Sequence, residues 1–347
     1  MKELNLPSAR LKYGTMIGVG GIGAGQFFAI HGNRTLTREE SRGGRFLDRR
    51  DYCKLHIISH YVGTLLGPQF ATIPIGRLGD DEVGTRLLEE MHSAGLQLHR
   101  VRVAPGEQTL YSFCFLYPDG SGGNLTTDDS ASSHVDSACV LGAEEDFRRH
   151  RAAGIALAVP EVPLEARAAL IRLGSDYGFL RVASFTSDEI PEVLNTDFIR
   201  ELDLIALNRD EAATMCGPSP AGASTEALAK RAVAQLSKTN PRLQVSITAG
   251  GQGSWSWDGR ALRHVPPVSV PVQGTAGAGD AHLAGILIGL TAGLELAEAQ
   301  QFGTLLAAFS VTAPHTIHPG VDRQALRNLA AQSGVSLCSR VQDLLGD

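Results

Sequence analysis

Positive charge is in short supply in this chain. Its 31 Lys and Arg are outnumbered by 37 Asp and Glu, the formal net charge is −6, and no block of cationic residues occurs. That argues against a protein that tracks a nucleic-acid backbone or sits on anionic lipid, and leaves a small molecule as the expected partner. Cysteine is scarce as well. Cys53, Cys114, Cys139, Cys216 and Cys338 are odd in number and scattered, with no C-x-x-C pair, so they suggest neither a disulfide framework nor a thiolate zinc site. They read as reduced thiols. No apolar run approaches the length of a bilayer span, and MKELNLPSARLKYG at the N-terminus lacks the apolar core of a secretory signal. The cytoplasm is the expected compartment. Two common catalytic signatures are also missing, the G-x-x-x-x-G-K-[ST] phosphate cradle and the G-x-S-x-G hydrolase elbow. His56 and His60 have an i, i+4 spacing but enclose Ile-Ile-Ser, with no Glu to act as a base, and read as a packed pair.

What the chain does have is glycine, 39 in 347 residues. This length accommodates two average domains or one large α/β unit. Short β-branched runs at 16–19, 71–78, 99–103, 110–117, 155–159, 181–185, 204–207 and 244–248 alternate with segments of helical period. Those segments include Leu55–Leu65, Val83–Met91 and Leu228–Leu236. Alternating apolar strands and helices imply a mostly parallel sheet covered on both faces. Residues 99–127 break the rhythm with a hairpin-like pattern through APGEQT and PDGSGGN, which predicts a small projecting sheet that serves as a lid. The arginine-rich stretch 29–50 reads equally well as a solvated loop. No internal repeat or interdomain linker is evident.

MIGVGGIGAGQFF, residues 16–28, contains G-x-G-x-x-G at Gly18, Gly20 and Gly23. A dinucleotide site needs a helix opening on the last glycine, and GQFFAIHGNRT is a poor helix. The second glycine run is GTAGAGDAHLAGILIGL, residues 274–290. Gly277, Ala278 and Gly279 precede a long apolar helical pattern, so successive backbone N–H groups can face an anion at a helix N-terminus. Asp280 would repel that anion, and it stands either as a cap or as a base for an attacking hydroxyl. Asn208 and Glu211, three apart after an apolar strand, suit either a helix cap or a hydrated Mg²⁺ held through water. Thr248, Gly250 and Gly253 lie where another strand ends, the edge of an open parallel sheet at which ligands bind.

In this order the motifs resemble the ribokinase-like (PfkB) family of carbohydrate and nucleoside kinases. The signature stands here as Gly274, Thr275, Ala276, Gly277, Ala278, Gly279 and Asp280, with N-x-x-E at Asn208 and Glu211, T-x-G-x-x-G from Thr248, and GRLGDDEVG at 76–84. The resemblance covers about residues 14–330. It implies a three-layer α/β/α ribokinase-like fold with a mostly parallel central sheet and a small β lid from about 20–45 and 99–127, leaving 331–347 as a C-terminal extension.

The implied activity is transfer of the γ-phosphoryl group of ATP to a hydroxyl of a sugar, sugar derivative or nucleoside, with Mg²⁺. Asp280 would be the base and residues 277–279 the anion hole. Asn208, Glu211, Thr248, Gly250, Gly253 and Thr275 would hold the nucleotide, joined by Ala308 and Thr312 from a late helix at 307–316 that borders the adenine. A homodimer through the lid strands is also implied.

The departures fall on the acceptor side. Gly25 occupies the position of a hydroxyl-binding Asp, and Gly43–Gly44 stand for the family's diglycine, with Asp48 as the nearest substitute for its following Asn. Gly274 replaces the Asp that helps hold a monovalent cation, which argues against potassium dependence. His282, two residues after the base, reads as packing under the loop. Arginines 42, 45, 49 and 50 near the acceptor entrance suggest an anionic acceptor. The intact Asp280 favours an active kinase. The altered acceptor residues favour a second reading, a lapsed nucleotide-binding or regulatory member of the same fold.

Overall fold

The computed structural model describes residues 3–6, 11–119, 121–217 and 223–346; residue 120 of the PDGSGGN turn and part of the N-terminal stretch lie outside them. Among the described residues thirteen strands form two sheets. They are β1 (Thr15–Val19), β2 (Gly23–Ile30), β3 (Gly44–Tyr52), β4 (Ala71–Gly79), β5 (Val101–Ala104), β6 (Leu110–Leu116), β7 (Gly122–Thr126), β8 (Gly154–Ala158), β9 (Leu180–Ser184), β10 (Leu204–Asn208), β11 (Gln244–Thr248), β12 (Ser254–Trp257) and β13 (Leu262–Val265). The large sheet runs β13-β12-β11-β10-β9-β8-β1-β4-β5, parallel except at β12 and β13. The small sheet runs β3-β2-β6-β7.

Burial explains the central strands. Every residue of β1 and β8 is buried, as a parallel sheet covered on both faces requires. One apolar cluster lies on each face. The first gathers Leu55, Ile58, Leu65, Ile286 and Phe302; the second gathers Ile73, Phe147, Leu170, Phe185 and Leu236. The result is the three-layer ribokinase-like arrangement. The helix Ala278–Thr291 is apolar all round and buried over nearly its whole length, as a helix with no solvent face must be. A Cβ at Gly285 would lie 2.6 Å from the Gly303 Cα, so the helix Leu296–Ser310 packs directly on its backbone.

Several sequence expectations change. The stretch read as a solvated loop contains β3, and β2 and β3 pair antiparallel as half of the lid. Residues 99–127 are not one projecting unit. β5 pairs with β4 in the large sheet, β6 crosses to the lid beside β2, and only β6–β7 is a hairpin. The late helix ends at Ser310 rather than 316, ahead of Pro314, whose nitrogen has no hydrogen to carry the ladder on; Ser310 Oγ also donates to the Ala307 oxygen at 2.8 Å and Thr312 Oγ1 to that of Phe309 at 2.7 Å. The stretch read as a C-terminal extension is part of the core, with Val341, Leu344 and Leu345 buried and the Asn5 amide donating to the Leu344 carbonyl at 2.9 Å. All five cysteines are free. Among the described residues no helix is long and apolar enough to cross a membrane.

Candidate active site

β1, β8, β10 and β11 are parallel members of the large sheet, so their carboxyl ends share one edge. That edge carries Gly20–Gly21, Glu161, Asn208 and Thr248. The first glycine run follows directly from this placement. Gly18 and Gly20 are needed for packing, since a Cβ would meet Leu55 at 2.7 Å and Val159 at 2.4 Å respectively, and Gly23 opens β2. A strand rather than a helix follows the last glycine, which removes the dinucleotide reading.

Gly277 has φ 77°, a left-handed backbone, and a Cβ there would sit 2.7 Å from the Thr316 carbonyl. Glycine is therefore required twice over, by conformation and by space. The Ala278 N–H closes a turn on the Thr275 carbonyl at 3.3 Å, so this amide of the expected anion hole already has a partner. Around Gly279 the space is open, and the nearest atom to a Cβ placed there would be Thr248 Oγ1 at 4.0 Å. The GAGD loop and the T-x-G-x-x-G turn thus face each other. Gly253 has φ 85° and lies under the Val265 carbonyl, while nothing crowds Gly250 or Gly251. Gly274 packs against the Ala313 and Pro314 carbonyls, and its amide shares the Val311 oxygen with that of Gln273.

Asp280 stands in the first turn of the Ala278–Thr291 helix with its side chain 13% exposed. It does not cap that helix. Its Oδ1 lies 3.1 Å from Nζ of Lys54, the first residue of the helix Lys54–Leu66. The Asp280 charge raises the Lys54 pKa above the ordinary lysine range, burial opposes the rise, and Glu211 and Glu161 add to it.

Two more carboxylates face this pair. Glu161, after β8, has its carboxyl pushed up to about 7 by burial, with the Cys53 thiol and Lys54 opposing and Asp280 reinforcing the shift. Its Oε2 is buried without a partner, and its backbone is left-handed at φ 75°. Asp51, near the end of β3, is raised by burial and by Asp280, while the Cys114 thiol donates to its Oδ2 at 3.4 Å. Asp51 pairs in register with Gly25, and a Cβ at Gly25 would come within 3.0 Å of Asp51 Oδ2. The carboxylate absent from position 25 is supplied from the neighbouring strand.

On the nucleotide side Asn208 and Glu211 form a full capping box at the start of the helix Arg209–Cys216. Asn208 Oδ1 accepts from the Asp210 and Glu211 amides, and the two Glu211 oxygens accept from Asn208 N at 2.7 Å and Asn208 Nδ2 at 2.8 Å. Both carboxylate oxygens are thereby engaged by Asn208, and burial raises the Glu211 carboxyl. The pair therefore fits Mg²⁺ held through water and offers no two free inner-sphere ligands. Accordingly, no group of three or more His, Cys, Asp or Glu among the described residues could hold a metal directly. Ala308, near the end of the Leu296–Ser310 helix, is buried, and Thr312 lies just beyond that helix.

Not every expected residue reaches the site. Gly43 and Gly44 lie at the far end of β3, where Gly44 pairs with Ile30. Seven residues separate Gly44 from Asp51, about 23 Å of extended strand. Asp48 is exposed in the irregular stretch opposite Phe27. Cys53–Lys54, not a diglycine, stand at the start of the helix. Two of the four arginines are engaged by carboxylates: Arg42 is bound to Glu40 at 2.6 Å and Arg50 to Glu90 at 3.2 Å. His56 is fully buried with both ring nitrogens unpartnered, and burial depresses it to about 3 and His60 to about 4. His282 is buried beneath the loop as expected.

Comparison with known proteins agrees with this arrangement. A family model described as "pfkB family carbohydrate kinase" matches residues 64–323, three quarters of the chain. Fructoselysine 6-kinase from Shigella flexneri is 42% identical over 67 residues, 19% of this chain and 26% of that relative, so the match spans about a quarter of the relative's length. Among solved structures, ribokinase from Giardia lamblia superposes with a TM-score of 0.74 at 18% identity, over 90% of this chain and 99% of that one. A putative ribokinase II from E. coli in complex with ATP and Mg²⁺ gives 0.72 at 15% identity, over 92% and 99%. The two structures establish the likeness of fold. The family match, with the glycine turn, the capping box and Asp280 in its order, makes this chain a member of the pfkB family of carbohydrate kinases.

Proposed function

We propose that the protein transfers the γ-phosphoryl group of ATP to a hydroxyl of a sugar, a sugar derivative or a nucleoside, with Asp280 as the base. The observation that carries this reading is the position of Asp280. It stands at the mouth of the Ala278–Thr291 helix, beside the Gly277 turn and within reach of Asp51 and Glu161. Asp280 accepts the proton of the acceptor hydroxyl, whose oxygen forms the new bond to Pγ as the bond from Pγ to the β-phosphate oxygen breaks and ADP leaves with its electrons. The helix N-terminus and the Gly279 region stabilise the charge on the phosphoryl oxygens. Mg²⁺ brought with the nucleotide would lower the charge of the phosphates, held through water by Asn208 and Glu211. Thr248, Gly250, Gly253 and Thr275 line the phosphate side, and Ala308 and Thr312 the adenine side.

The acceptor chemistry follows from the carboxylates. Asp51, Glu161 and Asp280 accept hydrogen bonds and Lys54 donates, a set that suits a polyhydroxylated acceptor. An anionic acceptor would meet Asp51 and Glu161, which tells against the acceptor class that the arginines suggested. One observation favours a lapsed, nucleotide-binding member instead, namely the ammonium on the base.

Coupled ADP release across neutral sugars, amino sugars, fructoselysine and nucleosides separates the two. The kinase reading expects turnover with at least one acceptor. It also expects Asp280→Asn to lower kcat by about 10²-fold or more while calorimetric nucleotide affinity is retained. Nucleotide uptake with no turnover on any acceptor establishes the lapsed reading.

A further inference from the structure

Lys54 sits where electrostatics disfavours it twice. It opens the Lys54–Leu66 helix, whose N-terminal amides carry partial positive charge, and it is largely withdrawn from water, its side chain 28% exposed. No side chain caps this helix end, so the ammonium is not offset there. What compensates it is the candidate active site itself, through Asp280 in contact and the charges of Glu211 and Glu161. A cation held against such costs, at the one carboxylate the chemistry needs, is placed for function rather than for packing.

Geometry limits what that function is. A hydroxyl giving its proton to Asp280 must come within about 2.8 Å of a carboxylate oxygen. The Lys54 Nζ is 3.1 Å from one of those oxygens, so it neighbours the attacking hydroxyl oxygen and the phosphoryl group that joins it. The charges of Glu161 and Glu211 also act on it.

We propose that Lys54 is a further residue of the transfer machinery, orienting the Asp280 carboxylate and setting a fixed positive charge beside the phosphoryl group as it moves to the acceptor. This rests on the kinase reading. Lys54 keeps all its protons throughout; the acceptor proton goes to Asp280, and the electrons of the broken Pγ–O bond leave with ADP. Charge fixed in place before the reaction needs no reorganisation during it, which is how such a group lowers the barrier. The groups that face it are Asp280, Glu161 and Glu211, with Asp51 and the Cys53 thiol beyond them.

The test compares wild type, Lys54→Met and Lys54→Arg in full steady-state kinetics from pH 5 to 9, with thermal melting to confirm folding. Lys54→Met is expected to lower kcat about 10²-fold with the KM for ATP changed less than about threefold. Its acid limb in kcat/KM should move to higher pH, because the Glu161 carboxyl loses the cation that lowers it. Lys54→Arg should recover most of kcat and restore the limb.

A folded Lys54→Met enzyme with wild-type kcat and an unmoved limb overturns the proposal, and a melting shift alone would make the lysine a structural staple. A faster Lys54→Met enzyme also overturns it, since the ammonium would then be a plug on the base. Wild type that turns over no acceptor sinks the kinase reading and this proposal with it. An active wild type beside an equally active Lys54→Met sinks this proposal alone.

Discussion

Glu161 combines a left-handed backbone, a buried oxygen without a partner and a carboxyl pushed up to about 7 by burial. Its unfolded counterpart titrates near 4.5. Below that pH both states hold the proton and the residue is neutral in effect. As pH rises toward 7 the unfolded chain releases the proton while the folded chain keeps it, so stability is lost across that window and the loss is complete above about 7. Glu161→Gln is therefore expected to match wild type at pH 4 and to exceed it at pH 8 by about 2–3 kcal/mol, read by urea unfolding at the two values. A difference that does not change with pH would remove the proposed burden. At this scale Asp280 was legible because flanking glycines in a fixed order leave it little else to be. Asp51, Lys54 and Glu161 were not. They come from three segments with no common spacing, and only the β2–β3 pairing and the shared sheet edge bring them together.

The helix Ala278–Thr291 is what fixes Asp280 in space, and its rigidity comes from glycines that admit a neighbour. At Gly285 a Cβ would meet the Gly303 Cα at 2.6 Å, and at Gly289 it would meet the Ala299 Cβ at 2.8 Å. Gly285→Ala must push the two helices apart. It is expected to destabilise by about 1–3 kcal/mol despite its better helix propensity, as a lower denaturation midpoint. Equal or higher stability would mean that the helices slide freely. At the end of β10, Asn208→Ala removes the acceptor for two amides and one donor to Glu211, and about 1–2 kcal/mol is expected to go with it. A midpoint unchanged in Asn208→Ala would show that the capping box does not stabilise this helix. Elements buried on one or both faces announce themselves by period, which is why β10, β11 and the helix from Ala278 stand where the sequence puts them. β3 does not, because GRFLDRRDY is polar on an exposed lid edge and slips register opposite Phe27, which erases alternation. The helix bounds 307–316 come from the resemblance and run too far, because Pro314 has no amide hydrogen with which to extend the ladder past Ser310.

Across the whole molecule the end of β3 and the segment beside the Gly277 turn are mechanically joined. The Thr316 amide donates to the Arg50 carbonyl at 3.1 Å, the Arg50 amide to His315 Nδ1 at 3.0 Å, and the Tyr52 amide to Thr316 Oγ1 at 3.0 Å. Thr316 also abuts Gly277. The small sheet meanwhile exposes Phe46 and Leu125 at 59% and 63%, although Phe46 packs edge-on against Phe28 with ring centroids 5.1 Å apart. A lid that closes over the acceptor should therefore carry 50–52 and 315–316 with it and tighten the Gly277 turn. Hydrogen exchange with nucleotide plus acceptor is expected to slow at 50–52, 273–278 and 315–316 together, and protease cleavage within 105–125 to fall. Thr316→Ala removes the Tyr52 tie and the hydroxyl's bond to Asp51, so acceptor should then protect the lid without protecting 273–278. If the loop is protected equally in wild type and Thr316→Ala, the coupling runs through the nucleotide and not through the strand. If neither ligand slows exchange in the lid, no closure occurs and Asp280 works in an open cleft.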